Sequence, residues 1–183
     1  MKIYQQKADY ACGPALIRTL MEYYGLPVPT EEALVSALGS TDLRGTSIHR
    51  MRKYLVQHAH GGTVKVIDDQ SIDVLVDGLQ NKLFQIIDWA DWGGHYVMVI
   101  DFKLEPGWAG GRFTLADPAA AFENRPDGRT YACGERLKSL WFDPIPPASR
   151  GLCLEVPTLD SLSPPQPSPQ RPNRVTKQDL RDA

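Results

Sequence analysis

A cysteine stands at the start of an amphipathic segment in the stretch Gln6-Lys7-Ala8-Asp9-Tyr10-Ala11-Cys12-Gly13-Pro14-Ala15. Pro14 suits the first turn of a helix, and the apolar residues that follow recur at helical spacing, which predicts a helix over 13–24 that ends before Gly25. A thiol at the helix start faces unpaired N–H groups and the positive end of the macrodipole, which favour its charged form. Cys12 therefore has the placement of a nucleophile.

Placement alone does not make a cysteine catalytic, because a lone cysteine is more often a small buried apolar side chain. A thiolate nucleophile also needs a base, a group that orients the base, and donors for the oxyanion. His95 is the candidate base, since it follows Trp92-Gly93-Gly94 and opens the apolar run Tyr96-Val97-Met98-Val99-Ile100, which predicts a buried strand. The same placement also fits a histidine that only caps a strand.

Asp117 is the candidate that would orient His95. Residues 112–116 have the pattern of the next strand, and a glycine-rich connection over 105–111 precedes them. In an antiparallel hairpin the start of the first strand lies beside the end of the second, so we expect Asp117 next to His95. Asp117-Pro118 also fits a simple turn. The alternatives ranked behind Asp117 are Asp88, Asp101 and Asn124.

A glutamine amide near the nucleophile can donate to the oxyanion together with the backbone N–H of Cys12. Gln6 is the candidate, and Gln5 is its chemically identical neighbour. Local sequence does not choose between the two.

The loops next to these residues also carry candidate substrate contacts. Trp92 is separated from His95 by two glycines, Gly94 is the second of them, and Tyr10 lies two positions before Cys12. Packing in the core is the alternative role for both aromatic side chains.

Helical patterns come first along the chain and strand patterns follow. This segregation predicts an α+β domain over residues 1–156, in which an N-terminal helical part packs on an antiparallel β-sheet. Cys12 and His95 would then face each other across the junction. The predicted helices are 13–24, 30–38, 47–58 and 71–81, and the predicted strands are 63–67, 83–88, 95–102, 112–116 and 152–156.

The order of these motifs resembles that of the bacteriocin-processing, double-glycine leader cysteine peptidases, which are papain-like enzymes. The resemblance spans roughly residues 3 to 120. Ala11, and not an aspartate, precedes the cysteine, which is more similar to stand-alone members of that family. The motifs that carry the resemblance are Gln6, Cys12-Gly13-Pro14-Ala15, His95-Tyr96-Val97-Met98-Val99 and Asp117-Pro118-Ala119.

The resemblance implies a papain-like fold and a role for each candidate. Cys12 would be the nucleophile, His95 the base, Asp117 the orienting group and Gln6 the oxyanion donor. It also implies cleavage of a peptide or precursor protein after a glycine pair.

Composition narrows the class of protein. The chain has 183 residues, of which 42% are hydrophobic, enough for one core, and its formal net charge of −2 gives no reason to expect binding to nucleic acid. Three cysteines without a Cys-x-x-Cys pair predict neither disulfides nor a zinc site, and no metal or cofactor is expected. Without an apolar signal core at the N-terminus or a run of the ~20 apolar residues needed for membrane insertion, we expect a cytoplasmic protein.

The composition changes at Pro157, where a proline-rich segment begins that extends to residue 183. Such a segment cannot bury enough apolar surface to offset the entropy lost on ordering, which predicts a disordered, flexible tail. We expect the tail to contact an exporter or another partner protein.

Three functions fit the residues. The first is a cysteine peptidase; the second is an amidase or acyltransferase that uses the same thioester intermediate; the third is a leader-peptide binding module without chemistry. The presence of all four candidate residues argues against the third.

Overall fold

Helices and strands follow one another along the chain in nearly the order that the sequence predicts. The computed structural model describes residues 1–59, 64–68, 70–90, 94–143, 149–150 and 153–158. The helices are α1 Cys12–Tyr23, α2 Glu31–Leu38, α3 Ile48–His58, α4 Ile72–Gln80 and α5 Gly134–Leu140. The strands are β1 Lys65–Ile67, β2 Leu83–Trp89, β3 His95–Lys103, β4 Arg112–Ala116, β5 Arg129–Cys133, β6 Phe142–Asp143, β7 Ser149–Arg150 and β8 Cys153–Pro157, with a 3₁₀ turn at Ala120–Glu123.

Six strands form one antiparallel sheet in the order β1-β8-β2-β3-β4-β5. β2 and β3 pair with Trp89 opposite His95, and β3 and β4 pair with Met98 opposite Ala116. The second pairing confirms the predicted hairpin. The start of β3 and the end of β4 therefore lie together at one end of the sheet.

Helices cover both faces of this sheet. Neighbouring residues of β2 belong to different clusters, since Ile86 packs with α1, α2 and α3 whereas Ile87 packs with α4 and α5. Burial on both faces explains why β2 and β3 have continuous apolar runs rather than an alternating pattern. The helices contribute Leu16, Leu20, Leu34, Leu38, Met51 and Leu55 to the first face and Leu75 and Leu137 to the second.

The predicted fold class, with an N-terminal helical part on an antiparallel sheet, is confirmed. The sequence patterns did not predict β5 and α5, which follow one another without a break at Cys133 and Gly134. β5 has no apolar alternation that would announce a strand, because it is an edge strand whose residues are mostly half-buried or exposed.

The last strand continues one residue beyond the predicted domain end. Leu83 pairs with Pro157, the Tyr24 hydroxyl donates to the Pro157 carbonyl, and the Thr158 N–H donates to the Lys82 carbonyl at 2.8 Å. The remaining part of the predicted flexible tail, residues 159–183, lies outside the described residues. Within the described ranges, no helix is both long and apolar enough to cross a bilayer.

Candidate active site

Cys12 is the first residue of α1, and its side chain is buried. The preceding turn is closed by the Ala11 N–H, which donates to the Ala8 carbonyl at 2.9 Å. Gly13 fits closely against the start of α3: a Cβ there would come within 2.8 Å of Thr46 Cβ and 2.9 Å of Met51 Sδ. The packing of α1 against this segment therefore fixes the position of the thiol.

His95 and Asp117 are in direct contact, as the hairpin geometry predicts. The Nε2 atom of His95 lies 2.8 Å from Oδ1 of Asp117, and the two side chains are only 14% and 11% exposed. This contact occupies Nε2, so Nδ1 is the ring nitrogen left to interact with Cys12.

Electrostatics keep the His95–Asp117 pair charged. Burial alone lowers the pKa of His95, but its hydrogen bonds to Asp117 and Cys12 and its electrostatic interactions with both raise that pKa to about 10. Burial raises the pKa of Asp117, yet the hydrogen bond and charge of His95, together with further donors, bring that pKa below its usual value.

Two further donors hold the Asp117 carboxylate. The Ala119 N–H donates to Oδ1 at 2.9 Å, and the Thr130 hydroxyl donates to Oδ2 at 2.7 Å. Arg125 Nη1 donates in turn to the Thr130 oxygen at 2.9 Å. The sequence analysis missed Thr130 because it missed β5, the strand that brings this residue beside the end of β4.

Gln5 and Gln6, which the sequence could not separate, have different surroundings. Gln5 donates from Nε2 to the Asp117 carbonyl at 3.1 Å and accepts at Oε1 from the Ala121 N–H at 2.7 Å, so it fastens the loop after β4. Gln6 is buried, and its Nε2 donates to the carbonyls of Ala8 and Asp9 at 3.0 and 3.1 Å. Gln6 is thus the glutamine whose side chain lies in the turn that leads to Cys12.

Glu31 holds the same turn from the helical side. Its carboxylate is buried at the start of α2 and accepts the Lys7 N–H at 3.1 Å to each oxygen and the Ala8 N–H at 3.4 Å. In sequence, Glu31 looks like an ordinary acid in the first turn of a helix, so no local signal marks this contact.

Comparison with known proteins identifies the family. The model of the peptidase C39 family matches residues 1–141. The chain belongs to this family. This membership confirms the resemblance to bacteriocin-processing, double-glycine leader peptidases, and it establishes a cysteine peptidase. A comparison with curated proteins gave no match.

Solved structures resemble this C39 peptidase at low sequence identity. One is the peptidase domain of Streptococcus ComA, described as a bi-functional ABC transporter involved in a quorum sensing pathway; it has a TM-score of 0.63 and 18% identity and covers 86% of this chain and 98% of its own. Another is the peptidase domain of Streptococcus mutans ComA, with a TM-score of 0.48, 18% identity and coverage of 85% and 98%. The first likeness supports the papain-like fold.

Two of the three candidate substrate contacts of this C39 peptidase, Tyr10 and Gly94, lie within the described residues. Tyr10 is half-buried in the segment before Cys12, and Gly94, directly before His95, has a φ of 103°, a conformation that favours glycine. Trp92 lies outside the described residues.

The alternatives to Asp117 have other positions in the fold. Asp101 lies towards the far end of β3 and is half-exposed, with Oδ2 3.8 Å from Lys103 Nζ. Asp88 is buried on β2 opposite Tyr96, and Asn124 ends the 3₁₀ turn with a φ of 59°. The carboxylate that the structure pairs with His95 is that of Asp117.

Proposed function

We propose that this C39 peptidase hydrolyses the peptide bond after a double-glycine leader in a peptide or precursor protein, through Cys12, His95 and Asp117. The observation that carries the proposal is the buried 2.8 Å contact between His95 and Asp117, on an imidazole that also interacts with Cys12 at the start of α1. A nucleophile, a base and an orienting carboxylate are the parts that acyl transfer through a thiolate needs.

Each group has a defined task in the reaction. The Cys12 thiolate attacks the scissile carbonyl carbon, and the His95 imidazolium then gives its proton to the departing amine as the C–N bond breaks. Water attacks the resulting thioester after losing a proton to His95, and the C–S bond breaks to release the acid and restore the thiolate. Asp117 keeps the imidazole turned towards Cys12 and stabilises its positive charge.

Gln6 is the proposed side-chain donor to the oxyanion, with the backbone N–H of Cys12 as the second donor. Its buried amide stands in the turn before the nucleophile, and its two N–H groups have the carbonyls of Ala8 and Asp9 as acceptors. The role requires that one N–H turns to the substrate oxygen when the tetrahedral intermediate forms. Gln5 is not proposed for this role, because both ends of its amide hold the loop after β4.

The glycine pair follows from the family and not from any single contact. Tyr10, Gly94 and Trp92 are the proposed substrate contacts, since they flank Cys12 and His95 in the sequence. Cytoplasmic location and recruitment of an exporter or another partner through residues 159–183 also stay predictions.

The test is mass spectrometry of the full chain with synthetic precursors that carry a glycine pair between leader and core peptide. We expect one cut, directly after the pair, no cut by Cys12→Ala, and a large loss when the pair is replaced by two valines. Addition of an amine such as glycinamide separates the two reaction types, because an amide product in place of the free acid would identify an acyltransferase. Binding of the leader without any product from any precursor would contradict the proposal.

A further inference from the structure

Asp117 receives a strong hydrogen bond from a residue outside the proposed catalytic set. The Thr130 hydroxyl donates to Oδ2 at 2.7 Å, whereas His95 and the Ala119 N–H both contact Oδ1. A hydroxyl bonded at this distance to a carboxylate is charge-assisted and about twice as strong as a bond between neutral groups. Thr130 therefore acts on the carboxylate oxygen that His95 does not use.

Arg125 fixes the direction of this bond. Its Nη1 donates to the Thr130 oxygen at 2.9 Å, and its Nη2 pairs with Glu123 at 3.0 Å. A guanidinium can only donate and a hydroxyl has a single proton, so the Thr130 oxygen accepts from Arg125 and directs its proton to Asp117. The hydrogen bonds from Arg125 through Thr130 to Asp117 thus all point one way.

The register of β4 and β5 brings the Thr130 side chain to the Asp117 carboxylate. Thr130 pairs with Leu115 in the register of β4 and β5, two residues before Asp117. Thr114 is the neighbouring threonine on β4; it is buried, and the described hydrogen bonds of Asp117 come from other residues. The two threonines therefore provide a matched pair for experiment.

We propose that Thr130, aligned by Arg125, is a positioning residue of the active site that keeps the Asp117 carboxylate ionised and turned towards His95. The proposal rests on the proposed roles of His95 and Asp117, and it adds two residues that act through them. Burial is the largest influence on the pKa of Asp117 and raises it. The hydrogen bond and charge of His95 lower that pKa, and the hydrogen bond of Thr130 lowers it further.

The experiment measures Asp117 directly, by NMR titration of the carboxyl carbons in protein labelled with ¹³C-aspartate. In Thr130→Val we expect the titration midpoint of Asp117 to rise by about one pH unit, since a hydrogen bond to a charged group is lost. Thr130→Ser, which retains the hydroxyl, should keep the midpoint of the unmodified chain, and so should Thr114→Val. With a cleavable peptide, Thr130→Val should lower kcat about tenfold at unchanged KM and move the acid limb of kcat to higher pH.

Arg125→Met provides a second variant in case Thr130→Val does not fold. It leaves the Thr130 hydroxyl free to rotate, so the Asp117 midpoint should rise in the same direction by less. An unchanged midpoint in a folded Thr130→Val, or in Arg125→Met, would overturn the proposal. The titration needs no substrate, so a wild-type chain that cleaves no precursor would refute the proposed function and leave the test of Thr130 intact.

Discussion

His95 and Asp117 are 22 positions apart in the chain, yet their Nε2 and Oδ1 atoms are 2.8 Å apart in a buried contact. Adjacent antiparallel strands produce this proximity, because β3 begins where β4 ends. The pairing of β3 with β4 therefore sets the separation of the two side chains.

Cys12 should be the thiol that reacts fastest with iodoacetamide. Burial raises the pKa of Cys153 to about 12, which keeps that thiol protonated and inert, and Cys133 is half-buried at the start of α5. Peptide mapping after a short exposure should find the adduct on Cys12. Cys12→Ala should lose the fast phase, whereas Cys133→Ser should retain it; a fast phase that disappears with Cys133 instead would show the assignment to be wrong.

His95→Ala should lose more activity than Asp117→Asn. The first variant removes the proposed base. A general acid–base group typically contributes about 10³-fold to kcat, and we expect a loss of that size. The second keeps a side chain of the same shape beside the imidazole and weakens mainly its orientation and the stabilisation of its positive charge, so a smaller loss in kcat is expected. Asp101→Asn is the matched control, since this carboxylate lies on β3 but is half-exposed and pairs with Lys103. Full activity of Asp117→Asn and loss in Asp101→Asn would reverse the assignment.

The stability that His95 contributes should decline in alkaline solution. Its folded-state pKa of about 10 lies above the ordinary 6.5, so the native state holds the proton more tightly than the unfolded chain. The contribution is complete below about pH 6.5 and disappears as the pH rises to about 10, a range in which Asp117, with its lowered pKa, stays ionised. We expect His95→Gln to reduce the free energy of unfolding in urea by about 2 to 4 kcal/mol at pH 6 and by much less at pH 10.

Cys12→Ala provides the internal check on this pH dependence. Cys12 is one of the groups that raise the folded-state pKa of His95, so without it the loss of stability should still begin near pH 6.5 but should end at lower pH. A difference between the wild-type chain and His95→Gln that is constant from pH 6 to pH 10 would contradict the raised pKa.

Gln6→Ala and Gln5→Ala should have different effects. Loss of an oxyanion donor costs about 10² to 10³ in kcat, and we expect this for Gln6→Ala. Gln5→Ala removes two hydrogen bonds to the loop after β4, so it should lower the free energy of unfolding by about 1 to 2 kcal/mol and reduce kcat less. Thermal melting and kinetics on one short peptide separate the effects. Equal losses of kcat in the two variants, at equal stability, would contradict the oxyanion role of Gln6.

Truncation after Thr158 should leave melting temperature and turnover of a short peptide unchanged. This cut keeps the Pro157 pairing and the Thr158 hydrogen bond and removes only residues 159–183. Cleavage of an intact precursor should weaken if the removed segment recruits a partner, because a tether acts through local concentration. Truncation after residue 152 is the contrasting variant: it removes β8 from between β1 and β2 and should prevent folding.

Side-chain contacts between residues far apart in the chain could not be predicted from the sequence. The hairpin and the four N-terminal helices were accessible because apolar periodicity and glycine connections are local signals. Thr130, Glu31 and Gln5 were not, since they contact partners 13, 24 and 112 positions away through side chains with no motif of their own. Thr130 and Gln5 contact Asp117, which the motifs did identify, and Glu31 holds the turn that leads to Cys12.

One backbone hydrogen bond spans the whole site: the Gln6 N–H donates to the Pro118 carbonyl at 2.9 Å. It joins the segment before Cys12 to the loop after Asp117, so it exists only while these two parts of the chain are assembled. The rate at which the Gln6 amide exchanges its hydrogen for deuterium therefore reports how often these two parts of the chain separate. Substrate-like inhibitors that contact both parts should slow the exchange of the Gln6 amide, and ligands that bind elsewhere should not.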